Sequence, residues 1–286
     1  SFFLNIILNP LFIFGYGIIP AMGIKGIALA TITAQFIGMS YIIYKVYLTN
    51  FIKNLYLESF FPKLNLIKDL LSQSIPAAIG MMMISFGMYI ILFFISQFGD
   101  LALAGYGTAI RYEQIFLLPV LGLNTAVLSI ASQNFGAKNF SRVEEIYNKA
   151  ILYGCGIMII AGIVIFFSAE TILNFFTNNN QVIDKGTTYL KITAFVVPIY
   201  PVFFISNALI QSLKKAVYVM FLSMLRMVIL PIITLWFLIF YLDSDFAFVF
   251  LGLLIINWIF GIFLYIFTKS FMRKEFEKKK VEKQTI

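Results

Sequence analysis

The sequence predicts an all-α polytopic membrane protein. Three observations predict it: 61% of the 286 residues are hydrophobic, only 12% are charged, and the mean hydropathy is +0.93. Soluble domains run nearer 45–50% apolar and about 25% charged, so this chain has too few polar residues to cover a water-facing surface. The apolar runs are also far longer than the roughly 9–11 alternating residues of a membrane barrel strand. Ile90-Ile91-Leu92-Phe93-Phe94-Ile95 is apolar on every side, which leaves the helix as the way to satisfy backbone groups in lipid.

A spanning helix needs about 20 mostly apolar residues, and eight segments approach that length. They fall at about 1–17, 23–46, 70–97, 102–133, 146–168, 187–212, 216–242 and 246–268, with boundaries good to about two to four residues. The first is short. The chain opens Ser1-Phe2-Phe3 inside an apolar run with no basic region before it, which reads as a chain lacking its N-terminal part rather than as a signal peptide.

Lys and Arg placement orients the spans. Lys45, Lys53, Lys63 and Lys68 follow span two, Lys138, Arg142 and Lys149 follow span four, Lys214 and Lys215 follow span six, and a Lys-rich tail follows span eight. The alternate loops carry Asp100, Glu170, Asp184, Asp243 and Asp245 with few cations. The basic side is expected to be cytoplasmic, with the C-terminus on it. The net charge of +8 is then a product of topology and not a sign of nucleic-acid binding.

The composition is poor in catalytic groups. The chain has no His and one Cys, Cys155, which removes His-based metal sites, imidazole-dependent triads and an intrachain disulfide. No enzyme, resident cofactor or bound metal is expected. The sharpest candidates are charges inside spans: Arg111 and Glu113 in span four and Arg226 in span seven. At 1.5 Å per residue all three lie roughly 13–16 Å from a membrane face, where a charge costs at least about 2.5–3.5 kcal/mol. Arg111 and Glu113 are about 200° apart on a helix, so each needs a partner from another span, and Arg226 is the natural one for Glu113. Two readings stand together: an ion pair that fixes packing, or a site that titrates or binds cargo.

Polar residues at depth are Gln35, Asn124, Thr125, Asn207, Gln211 and Asn257. Of these, Asn124, Asn207 and Gln211 are candidate cavity residues. Asn124 lies three turns beyond Glu113 on about the same face, and Asn207 and Gln211 are i, i+4 neighbours. Pro76, Pro119, Pro198, Pro201 and Pro231 interrupt four spans and are the candidate kinks or hinges. Gly26, Ala30 and Ala34 form a small-residue packing seam. A faint repeat relates Leu4-Asn5…Pro10 to Leu225-Arg226…Pro231, a pattern common in transporters.

Several strings resemble the MATE multidrug and toxic compound extrusion family. Asn9-Pro10-Leu11-Phe12-Ile13-Phe14-Gly15, Gly23-Ile24-Lys25-Gly26 and Ala30-Thr31 are similar to its fifth and sixth helices, and Ser74-Ile75-Pro76 to the start of its seventh. Ala104-Gly105-Tyr106-Gly107, Arg111-Tyr112-Glu113 and Gln133-Asn134-Phe135-Gly136-Ala137-Lys138 are similar to its eighth helix and following loop. The resemblance implies two six-helix lobes around a cleft. Residues 1–46 would be the last helix pair of the first lobe, 47–69 a cytoplasmic linker, 70–268 the complete second lobe and 269–286 a basic cytoplasmic tail.

The function so implied is a secondary antiporter in the plasma membrane (the bacterial inner membrane), exporting organic cations and other drugs in exchange for H⁺ or Na⁺. Its partners are the drugs, the bilayer and a missing N-terminal lobe, without which the chain is not expected to be active. The Na⁺-linked branch carries acids in the seventh and tenth helices. Here Ile84 stands eight residues after Pro76 and span six has no acid, leaving Glu113 as the acid available to take that role. The alternative is a lipid-linked oligosaccharide or peptidoglycan-precursor flippase of the same superfamily, which would need several cations inside the spans.

Overall fold

Helices carry nearly all of the chain because nothing else satisfies so long an apolar backbone. The computed structural model describes residues 2–17, 20–49 and 63–284. The middle of the predicted linker with Lys53, together with Ser1 and the last two residues of the tail, lies outside the described residues. Ten α-helices run in chain order among the described residues: α1 Phe2–Phe14, α2 Ile24–Leu48, α3 Leu64–Ile95, α4 Asp100–Gly136, α5 Phe140–Phe176, α6 Asn180–Thr193, α7 Tyr200–Ser212, α8 Ala216–Met224, α9 Leu230–Trp236 and α10 Phe246–Gln284. Two π-helical segments, Leu225–Ile229 and Phe237–Tyr241, continue α8 through α9.

Six of the resulting rods are long and apolar enough to cross a membrane, and α6 with α7 form a seventh, bent by 41°. The 13-residue α1 is too short by itself. This is a multi-pass membrane protein. The order of spans follows the sequence expectation, but several helices outrun their apolar stretches. Thus α5 extends over Phe140–Phe176 and α3 starts at Leu64.

The chain divides into two compact units, 1–67 and 68–286. In the first, α2 buries Gly26, Ala30 and Ala34. A side chain at Gly26 would strike the Phe12 carbonyl, so the seam is a backbone-to-backbone contact of the kind small residues permit in lipid. Amides of Met22 and Gly23 donate to the carbonyls of Phe12 and Ile13 and close the end of α1.

In the second unit, prolines and glycines meet in pairs across neighbouring helices. Pro198 has no N–H to offer the Ala194 carbonyl, and that carbonyl lies where a side chain at Gly162 of α5 would be. Pro231 likewise cannot serve Met227 at α-helical spacing, and the Met227 carbonyl lies 2.6 Å from a Cβ placed on Gly87 of α3. Pro201 packs its ring against Gly154. Of the predicted kinks, Pro198 and Pro201 coincide with the bend between α6 and α7, and Pro231 follows the π segment. Pro76 and Pro119 sit inside helices that continue through them. At the bend, the Trp258 indole N–H donates to the Phe195 carbonyl at 2.8 Å, which satisfies a group the broken helix releases.

Charge separates to the two ends of this unit. At one end Phe140 stacks on Phe276 with centroids 4.8 Å apart, Lys215 lies 3.6 Å from Glu275, and Gln73 accepts from the Ala216 amide at 3.2 Å. These contacts gather the turns after α4 and α7, the start of α3 and the end of α10, so their basic residues share one end. At the other end Phe98 packs edge-on to Phe246, and Lys185 sits over the Phe246 ring at 5.1 Å. The region predicted as a tail is continuous with α10, and Met272 and Phe276 are buried. Its first turns are therefore packed protein and not a free basic strand. Near the basic end Lys149 and Arg142 flank Glu145 and hold its carboxyl below the usual carboxylate range.

The shared end yields a labelling prediction. Cysteines placed at Lys138, Lys214 and Lys278 in a Cys155→Ala background should react from one side of the membrane, and cysteines at Asp100 and Asp243 from the other. Labelling of positions 138 and 243 from the same side would sink the span count.

Candidate functional site

The burial pattern of α4 decides which of its charges matters. Ala102, Gly105, Tyr106, Ala109, Glu113, Val120, Val127 and Ala131 are its buried positions, and they share one face at helical spacing. Glu113 lies on that face and is 7% exposed. Arg111, two residues earlier and about 200° away, is exposed and makes no hydrogen bond or ion pair among the described residues. Arg111 is therefore off the face of Glu113, as the 200° separation implies, and the candidate site residue Arg111 does not line the cavity that holds Glu113.

Glu113 is held by tyrosines. The Tyr189 hydroxyl donates to Oε2, and the Tyr200 hydroxyl donates to Oε1 at 2.8 Å. Tyr189 lies near the end of α6 and Tyr200 starts α7, so the bend at Pro198 and Pro201 aims the two hydroxyls at one carboxylate from either side. Tyr106, Tyr189 and Phe250 pack in a cluster behind it, with centroid separations of 4.8–5.9 Å. Sequence reasoning missed all three tyrosines. The available signal was that a tyrosine at membrane depth needs a partner for its hydroxyl.

Arg226 stands in the same cavity without bonding Glu113. No ion pair between them falls within 4.0 Å among the described residues, so the expected pairing is corrected. Its guanidinium lies 3.4 Å above the Phe203 ring and 5.7 Å from that of Tyr200. One Nη donates to Asn257 Oδ1 at 3.5 Å, and Asn257 in turn donates to the Leu253 carbonyl. Arg226 occupies the π segment Leu225–Ile229, an irregularity frequent at functional sites.

Tyr106, Glu113, Tyr189, Tyr200, Arg226 and Asn257 line a cavity of about 200 Å³. Its remaining wall is largely apolar and aromatic, including Met88, Ile91, Leu117 and Phe204. One carboxylate and one guanidinium are its ionisable side chains apart from tyrosine hydroxyls. Among the described residues no group of three His, Cys, Asp or Glu side chains is placed to hold a metal.

The match to known proteins decides the family. A MatE family model matches residues 76–237, more than half of the chain. The chain belongs to the MatE family. It is 28% identical over 236 residues to the probable multidrug resistance protein YpnP of Bacillus subtilis, covering 82% of this chain and 49% of that protein. It is also 28% identical to the probable multidrug resistance protein NorM of Thermotoga maritima, covering 66% of this chain and 41% of that one. The chain thus spans about half the length of the curated relatives it matches. The fold matches a MOP superfamily transporter from Pyrococcus furiosus with a TM-score of 0.85 at 22% identity, over 95% of this chain and 60% of that one. A MATE structure in complex with MaL6 matches equally, at 0.85 and 20% identity, over 95% and 61%.

The other predicted polar residues of this MatE chain fall elsewhere. Asn207 is part of a smaller cavity beside Arg226. Asn124 and Gln211 are partly buried, line neither of these two cavities, and make no mutual or cross-helix hydrogen bond among the described residues. Asn257, which spacing did not single out, is the polar residue that touches Arg226.

Proposed function

We propose that this chain is the second-lobe half of a multidrug efflux antiporter. Residues 70–268 form that lobe, 1–46 are the last helix pair of the first lobe, and the basic end faces the cytoplasm of a bacterial cell. The observation that carries the reading is Glu113, the one buried acid within a largely apolar, aromatic-walled cavity of transporter-family fold. Aromatic faces attract a flat organic cation and the carboxylate neutralises it. Glu113 also serves as the place where H⁺ or Na⁺ loads, so cargo and coupling ion compete for one negative charge. That competition is the basis of exchange by alternating access. A flippase for a pyrophosphate-linked lipid would need several cations here, and among the described residues Arg226 is the only Lys or Arg lining this cavity.

The test uses the purified chain in lipid nanodiscs. Ethidium should bind saturably and be displaced by tetraphenylphosphonium but not by benzoate. Non-saturable binding, or equal displacement by the anion, would remove the basis for the reading. A cellular arm tests the lobe assignment: pump-deficient bacteria expressing this chain alone should stay drug-sensitive. Resistance from the chain alone would show that a second lobe is dispensable.

A further inference from the structure

Arg226 forms part of the wall of two cavities. Besides the one holding Glu113, a cavity of about 20 Å³ lies between α7, α8 and α10, lined by Phe203, Asn207, Ser223, Arg226 and Phe260. Two polar atoms of these residues, Arg226 Nε and Asn207 Oδ1, are buried with no hydrogen-bond partner among the described residues. One is a donor and the other an acceptor. Buried polar groups are paired in folded proteins, by ordered water where protein atoms do not reach.

We propose that this small cavity is a binding site for a single water molecule that bridges Arg226 Nε to Asn207 Oδ1. The size fits one occupant, since a water needs roughly 10–15 Å³ and two to four polar partners. The chemistry selects water over a cation. Arg226 presents a positive N–H edge, which repels Na⁺ or K⁺ and needs an acceptor. Water accepts from Nε–H, donates to Asn207 Oδ1, and has a proton and a lone pair left for the Ser223 hydroxyl. An occupied site fixes the guanidinium on three sides: its face on Phe203, an Nη on Asn257 and Nε on the water. Asn207, singled out in the sequence for its depth, thereby acquires a partner for Oδ1 that it lacks among the described residues. The inference does not depend on the transport reading.

Millisecond X-ray hydroxyl-radical footprinting of the chain in nanodiscs tests it, because bound water is the radical source inside a membrane protein. Phe203 and Phe260 are buried and line the small cavity, whereas Phe246 and Phe250 are equally buried and line neither cavity. Phe203 and Phe260 should oxidise several-fold faster than Phe246 and Phe250. Asn207→Leu, which fills the cavity and removes the acceptor, should lower their rate at least threefold. Asn207→Ser, which keeps an acceptor, should preserve it. If Asn207→Leu does not yield a monodisperse chain, Ser223→Val fills the same space from α8 and must have the same effect. Equal oxidation of all four rings, or an unchanged rate in the filled variant, overturns the proposal.

Discussion

Glu113→Gln should weaken ethidium binding to the chain at least tenfold, about 1.4 kcal/mol, with little change in melting temperature. The substitution removes the charge and keeps the shape. The amide oxygen still accepts from one tyrosine, and the amide N–H donates to the other, because a phenolic oxygen both donates and accepts. Glu113→Leu should behave differently. It strands the hydroxyls of Tyr189 and Tyr200, and each buried unpaired hydroxyl costs about 1–3 kcal/mol, so expression and melting temperature should both fall. Adding Arg226→Met should not restore stability to Glu113→Leu, because tyrosines and not Arg226 hold the carboxylate. Rescue by Arg226→Met would revive the structural ion pair that the sequence first suggested. A Glu113→Gln chain with undiminished dye affinity would move cation recognition away from this residue. In a two-lobe transporter carrying this lobe, the same variant should lose export driven by an imposed H⁺ or Na⁺ gradient.

The spans were legible because lipid imposes one requirement, an internally bonded backbone about 20 residues long. Glu113 was legible for a related reason: it is the lone acid in a run where any charge is costly. The seam at Gly26, Ala30 and Ala34 followed from spacing alone and is a close contact. What surrounds Glu113 was not legible. Its two partners lie 76 and 87 residues away in sequence, and only the packing of α4 against a bent α6–α7 brings them together. The pairing with Arg226 failed because depth in the membrane gives one coordinate and leaves rotation about each helix open. For Arg111 that rotation was calculable, and its position opposite Glu113 follows the 200° arithmetic. The internal repeat held only as sequence: Pro10 sits within an unbroken α1, whereas Pro231 follows a π segment.

Gly162→Val should be strongly disruptive although Gly162 lies outside the cavity. Its side chain would strike the Ala194 carbonyl, and that oxygen belongs to backbone and cannot swing aside. The nearest relief is to push α5 away from the turn that ends α6. Overpacking of this kind typically costs about 1–3 kcal/mol. The damage should also reach function, because Ala194 lies in the bend that sets the angle between Tyr189 and Tyr200. Gly162→Val should therefore lower both the melting temperature and ethidium affinity, and Gly162→Ala should do so in milder form, since its single methyl meets the same oxygen. Gly156 supplies the control. It lies on the same helix, and a Cβ there would meet nothing within 4 Å, so Gly156→Ala should be neutral or stabilising by about 0.5–1 kcal/mol. The comparison separates a loss of close approach from a general intolerance of α5 to added bulk. Equal melting temperatures for Gly156→Ala and Gly162→Ala would show that α5 can move off the bend freely, and that the pairing of Gly162 with the carbonyl freed by Pro198 does not hold the tyrosines in place.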